Sequence, residues 1–198
     1  MPKIGILAIQ GDVEEHASSL EELGAEIEQV RLPNQLDEVD GLIIPGGEST
    51  TIIQLIDLYG LRRPLISRIQ AGMPTWGTCA GMIVLAGSLI DKRPEPLHLM
   101  DIEVSRNAFG AQIDSFETFI SVKHLGEPKL RAVFIRAPVV TKVGGNVEIM
   151  AKLDNGIPVC VKEQNMLATA FHPELTKDTR LHQYFVDLVN INLDSKLL

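Results

Sequence analysis

Short apolar runs alternate along the chain with segments whose apolar positions recur at helical spacing. Ile4 to Ile9, Gly41 to Ile44 and Pro74 to Thr78 read as strands covered on both faces. After Gly11, Val13, His16, Ala17, Leu20 and Leu23 fall on one helical face, with Asp12 and Glu15 at capping-box spacing before them and Gly24 after. A strand over Glu26 to Arg31 follows. Ser49 or Thr50 is expected to cap a helix running to about Tyr59. Arg62 to Gln70 reads as a further helix closed by Gly72, and Ala80 to Gly87 as a short helix of small residues.

The second half is richer in strands: Ile102 to Val104, Glu117 to Val122, Ala132 to Arg136 and Val147 to Leu153. Asp154-Asn155-Gly156 is a hairpin turn signal that pairs the last of these with Ile157 to Lys162. Leu167 to Phe171 is another strand, and Thr179 to Val189 a closing amphipathic helix. Alternation of this kind predicts an α/β fold, with a mostly parallel central sheet and an antiparallel subsheet in the second half. No linker or repeat interrupts it, so residues 1–198 are read as one domain.

Composition narrows the partners. Of 198 residues 45% are hydrophobic, which supports a packed core and excludes a disordered chain. The net charge of −8 argues against a nucleic-acid partner. Two cysteines, Cys79 and Cys160, make no disulfide framework. The first apolar run ends at Gln10 without a signal-peptide cleavage site, and the longest, Met82 to Ile90, is well short of the roughly 20 residues that span a bilayer. A cytoplasmic protein without a membrane partner is expected. The absence of Cys-x-x-Cys, His-Glu-x-x-His and Gly-x-Gly-x-x-Gly patterns predicts no metal and no dinucleotide cofactor.

Three places carry candidate chemistry. Gly77-Thr78-Cys79-Ala80-Gly81, between a strand and a helix, is the thiol form of a nucleophile elbow. Its glycines permit a sharp turn, a helix N-terminus favours thiolate, and the N–H of Ala80 is placed to donate to an oxyanion. In Phe171-His172-Pro173-Glu174, residues two apart on extended backbone share a side, so Glu174 can hold the His172 imidazole as the third member of a triad does. His16, His98, His124 and His182 lack a comparable setting and are read as solvated or locally hydrogen-bonded. Pro45-Gly46-Gly47-Glu48-Ser49 lacks the lysine of a phosphate loop. It suits an oxyanion loop, with the Gly47 N–H as donor, beside an acidic group for a zwitterionic amino acid.

Together these residues resemble a class I, or triad, glutamine amidotransferase. The blocks Leu7-Ala8-Ile9-Gln10-Gly11-Asp12-Val13, Gly46-Gly47-Glu48-Ser49-Thr50-Thr51, Arg106-Asn107-Ala108-Phe109-Gly110 with Gln112, Phe134-Ile135-Arg136-Ala137-Pro138 and Phe171-His172-Pro173-Glu174-Leu175-Thr176 are similar to the glutaminase subunits of pyridoxal 5′-phosphate synthase. The resemblance implies a three-layer, flavodoxin-like glutaminase fold. It also implies hydrolysis of L-glutamine through a thioester, with ammonia passed to a separate synthase subunit for vitamin B6 biosynthesis. It makes Cys79, His172 and Glu174 the triad, and Gly46, Gly47, Glu48, Arg106, Ile135 and Arg136 the glutamine-binding positions. Ser105 and Ala111 depart from the family's usual Glu and Arg and flank the substrate block. Three other readings remain open at this level. They are a partner-independent thiol hydrolase of similar fold, a regulatory subunit without activity, and a glutaminase serving a different synthase.

Overall fold

The computed structural model describes residues 2–106 and 115–195. In chain order the elements are β1 (Lys3–Leu7), α1 (Val13–Glu22), β2 (Glu26–Val30), β3 (Gly41–Ile44), α2 (Ser49–Leu58), α3 (Arg62–Gln70), β4 (Thr75–Thr78), α4 (Ala80–Leu85) and β5 (Ala86–Leu89). There follow β6 (Met100–Ser105), β7 (Ser115–Ile120), β8 (Leu130–Ile135), β9 (Val139–Val143), β10 (Glu148–Lys152), β11 (Pro158–Glu163), β12 (Met166–Thr169) and α5 (Arg180–Ser195). Short 3₁₀ turns cover Pro33–Glu38 and Pro173–Leu175.

A seven-stranded sheet runs in the order β10-β11-β12-β4-β3-β1-β2. The strands from β12 to β2 pair in parallel, and β11 and β10 extend the sheet antiparallel. The expected hairpin joins β10 to β11, with Gly156 at φ +86 in its turn. The apolar runs of β1 and β3 are covered on both sides: Ile4, Ile6, Leu42, Ile43 and Ile44 are fully buried. Strand alternation separates the two covering layers. Trp76 of β4 packs against His16 of α1 and His182 and Phe185 of α5, whereas neighbouring Gly77 faces the backbone of α4 at Gly81. Helix α4 packs in turn against α2.

Two smaller sheets, β5-β6-β9 and β7-β8, lie outside the main one. β5 corrects the expected helix to Gly87. The chain leaves the helix after Leu85, and Ala86–Leu89 pairs with β6, so sheet partners override the helical preference of a small-residue run. β9 was not among the expected strands; it pairs antiparallel with β6, Val139 opposite Ser105.

Both expected caps are also corrected. Asp12 makes no side-chain capping bond to α1, because its carboxylate is turned toward His172. α2 is capped by Glu48 and not by Ser49 or Thr50: the carboxylate accepts from the amides of Thr50 and Thr51 at 3.1 and 2.7 Å.

Candidate active site

The site lies where the parallel strands end. β1 connects to β2 on one side while β3 lies on its other side, and such a reversal of strand order opens a crevice at the carboxyl ends. The loops after β1 (Gln10, Asp12), β3 (Gly46 to Ser49), β4 (Cys79) and β12 (His172, Glu174) converge there. They form a cleft of about 380 Å³ lined by Gln10, Asp12, Gly47, Glu48, Cys79, Arg106, Ile135, Arg136 and His172 among others.

Cys79 occupies φ +48, ψ −101, a conformation that costs a non-glycine residue about 1–3 kcal/mol. The surroundings enforce it. A Cβ at Gly81 would overlap the carbonyl oxygen of Ile44, and one at Gly77 would overlap the backbone of Gly81. Only glycine on both sides lets β4 turn into α4 this tightly. The Cys79 amide donates to Thr169 O at 2.8 Å, which ties the nucleophile's backbone to β12. Its thiol faces the carbonyl oxygen of Ile135 at 3.9 Å.

His172 Nδ1 lies 2.7 Å from Glu174 Oε1 and 3.3 Å from Asp12 Oδ2. With Nδ1 occupied by carboxylates, Nε2 is the nitrogen left for Cys79. Burial pulls the imidazole's pKa down, but Asp12, Cys79 and Glu174 outweigh it and push it up to about 12. The ring is thus held as imidazolium. Glu174 has a fully buried side chain, and desolvation raises its pKa against the lowering effect of His172. Asp12, His172 and Glu174 bring three potential metal-ligand atoms within 4.8 Å, with His172 Nδ1 already engaged by Glu174.

The expected substrate residues Gly47, Glu48, Arg106, Ile135 and Arg136 line the cleft. Gly46 lies behind them, with a Cβ there excluded by the His172 ring. Desolvation opposes ionisation of Glu48, but the hydroxyl and amide of Thr51 and the amide of Thr50 prevail and lower its pKa. Arg106 Nη2 lies 3.4 Å from Glu48 Oε1, so the two opposite charges pair directly at the cleft. Asn107, Ala108, Phe109, Gly110, Ala111 and Gln112 lie outside the described residues.

Asp12, Gln10 and Leu175 line the cleft without having been singled out for it. The available signal for Asp12 was its place just after β1 at the strand-order reversal. The reading of His16 and His182 as solvated or local is corrected as well. Both are fully buried, and the His16 ring lies 3.0 Å from His182 and 3.6 Å from Glu174. His98 and His124 do stay exposed, beside Glu95 and Glu148.

Burial pushes the His182 imidazole down to about 4, which sets a pH dependence of stability. The unfolded chain takes up this proton near pH 6.5, the folded chain only near 4. Between these values the unfolded state binds more protons, so the contribution is complete above pH 6.5 and is lost as pH falls through 4. It amounts to roughly 3 kcal/mol. Urea unfolding of wild type and His182→Gln at pH 7.5 and 4.5 isolates the effect, with wild type expected to lose more stability than the variant. Equal losses would remove His182 as the cause.

The model of the SNO glutamine amidotransferase family matches residues 6–191. The pyridoxal 5′-phosphate synthase subunit PdxT of Thermotoga petrophila is 51% identical over 187 residues, covering 94% of this chain and 99% of that protein. The PdxT protein of Dehalococcoides mccartyi (strain CBDB1) is 54% identical over 188 residues, covering 94% and 96%. Among solved structures, one described as a glutamine amidotransferase superposes with a TM-score of 0.90 at 43% identity, covering 94% of this chain and 98% of its own. A putative GMP synthase subunit from Thermoplasma acidophilum, at 21% identity, shares the fold with a TM-score of 0.72.

Proposed function

The chain belongs to the SNO glutamine amidotransferase family, and from that premise we propose that its Cys79 cleft hydrolyses L-glutamine to L-glutamate and ammonia. Like its PdxT relatives it serves as the glutaminase subunit of pyridoxal 5′-phosphate synthase, and the ammonia passes to a separate synthase subunit in a hetero-oligomer. The whole chain acts as one glutaminase domain. The observation that carries the chemistry is the alignment of a strained Cys79 with a His172 imidazole hydrogen-bonded at 2.7 Å to buried Glu174.

In this reading the Cys79 thiolate attacks the side-chain amide carbon of glutamine. The Ala80 and Gly47 N–H groups stabilise the oxyanion. The His172 imidazolium gives its Nε2 proton to the departing ammonia, leaving a thioester. His172 then takes a proton from water as it attacks the thioester, and sulfur leaves as thiolate when glutamate is released, which restores the starting thiolate and imidazolium. Glu174 orients the ring and balances its charge, and Asp12 adds a second carboxylate on the same nitrogen. Ammonia release from glutamine, measured with and without the synthase, tests the assignment. No release under either condition would refute it.

Substrate recognition follows from the paired charges of Glu48 and Arg106. Glu48 meets the α-ammonium, and Arg106 or Arg136 the α-carboxylate. Glu48→Gln and Arg106→Lys are expected to raise the KM for glutamine by about tenfold or more, the scale of one lost charged hydrogen bond, with a smaller change in kcat. Glu48→Gln also loses part of its cap on α2, so its melting temperature is to be measured alongside. A variant with wild-type KM and kcat would take that residue out of the binding site.

A further inference from the structure

Behind the triad, on the side away from the cleft, lies a buried polar chain that the reaction as described does not use. Glu174 presents Oε1 to His172, while Oε2 is buried and has no hydrogen-bond partner. His16 Nε2 faces that oxygen at 3.6 Å and Thr78 Oγ1 at 3.1 Å. On the far edge of the same ring, His16 Nδ1 lies 3.0 Å from His182 Nε2, and His182 Nδ1 is buried without a partner. Trp76 packs edge-on against both rings, with centroids 5.7 and 4.9 Å away.

These contacts select one pair of tautomers. If His16 carried its proton on Nδ1, it would donate to His182 Nε2, and the His182 proton would sit on Nδ1 as a buried donor with no acceptor. The bare His16 Nε2 would also point its lone pair at a carboxylate oxygen. Both features are unfavourable, the orphaned donor by about 1–3 kcal/mol. The reverse arrangement has neither fault. His182 Nε2–H donates to His16 Nδ1, His16 Nε2–H donates to Thr78 Oγ1 and faces Glu174 Oε2, and the unpartnered ring atom, His182 Nδ1, is an acceptor, the less costly kind to leave unmatched. Double protonation is excluded by burial, which holds His16 well below its ordinary pKa.

We propose that His16, locked in its Nε2–H tautomer by His182, is a positioning residue for the reaction, aiming a ring N–H at the second oxygen of Glu174 and so keeping that carboxylate turned onto His172. The inference rests on the reading of Glu174 as the third triad member. His16 lies outside the cleft lining and touches no substrate position. Its removal therefore lowers kcat and leaves KM unchanged.

The test joins kinetics to a direct observation of the tautomers. In the complex with the synthase, His16→Leu is expected to lower kcat for glutamine hydrolysis about tenfold at unchanged KM, and His16→Gln, which restores an N–H donor, to recover most of it. The groups facing Glu174 are His172, Asp12, His16 and its own backbone amide. With His16 gone the carboxylate takes a proton more readily, so the acid limb of the kcat–pH profile moves to higher pH, which a mere filler of space would not cause. Long-range ¹⁵N–¹H spectra of the histidine-labelled wild-type chain need no variant to fold, and are expected to report Nε2–H for both His16 and His182. An Nδ1–H form of His16, or equal kcat losses in His16→Leu and His16→Gln with an unmoved acid limb, overturns the proposal. Glu174→Ala in the same assay separates the two layers: full activity there refutes the triad itself, whereas lost activity there with wild-type kcat in His16→Leu refutes only the role of His16.

Discussion

Cys79→Ala is expected to abolish glutamine hydrolysis, while Cys160→Ala leaves it near wild type. The two thiols differ in everything that matters for nucleophilicity. Cys79 lies in the cleft beside an imidazole whose pKa three partners raise to about 12. Cys160 is fully buried in β11, where desolvation, with Glu148 adding to it, drives its thiol pKa up and keeps it protonated. Loss of a triad nucleophile removes on the order of 10⁴–10⁶ in kcat, at about 1.4 kcal/mol of barrier per tenfold. His172→Ala should fall nearly as far, and Glu174→Gln less, because an orienting group leaves nucleophile and base in place. Iodoacetamide labelling followed by peptide mapping provides an independent measure. Wild type is expected to label at Cys79 quickly and His172→Ala slowly. Appreciable turnover by Cys79→Ala would end the assignment.

Docking of the synthase subunit is expected to raise kcat for glutamine hydrolysis by ~10²–10³, the effect of completing one missing oxyanion donor. Two adjacent glycines set little steric bar to turning the peptide between them. Its neighbours restrict that freedom. The Gly46 carbonyl accepts the Asp12 amide at 3.1 Å, and a Cβ at Gly11 would overlap the same oxygen. In a trans peptide the Gly47 N–H points opposite to that carbonyl. Turning it over breaks a bond worth about 1 kcal/mol and disturbs the start of α1. A partner that grips α1 and the loop after β3 together can supply that energy through contacts made only in the turned state. Titrating the synthase at saturating glutamine and following ammonia measures the effect. A flat rate from zero to excess partner would refute the switch and leave the triad standing.

Much of this was legible from residues alone where one local rule dominates. β3 and α3 have the bounds their patterns predict, because a fully buried run and a helix closed by Gly72 meet no competing signal. The elbow at Cys79 was legible because two glycines at fixed offsets have few other uses. Legibility failed where a residue satisfies a local pattern and is claimed by a distant one. Asp12 with Glu15 matches a capping box, yet Asp12 serves His172. Ser49 and Thr50 are good caps, yet the Glu48 carboxylate reaches the same amides. The ring of His16 meets that of His182, 166 positions away, so nothing near either residue announces the contact. Val139–Val143 carried a β-branched pattern that could have been read as a strand.

The hydrogen bond from the Cys79 amide to Thr169 O joins the ends of β4 and β12, neighbouring parallel strands in which Thr78 lies opposite Thr169. Nucleophile and base thus follow neighbouring strands of one sheet, Cys79 directly after Thr78 and His172 three residues after Thr169, where its amide donates to Val133 O at 2.8 Å. Loops around the cleft can fluctuate without separating the reacting pair, since the pair belongs to the same cooperative folding unit as the interior strands. Flexibility needed for glutamine entry and product release is thereby confined to the cleft walls, and the alignment of sulfur and imidazole persists for as long as the sheet itself does.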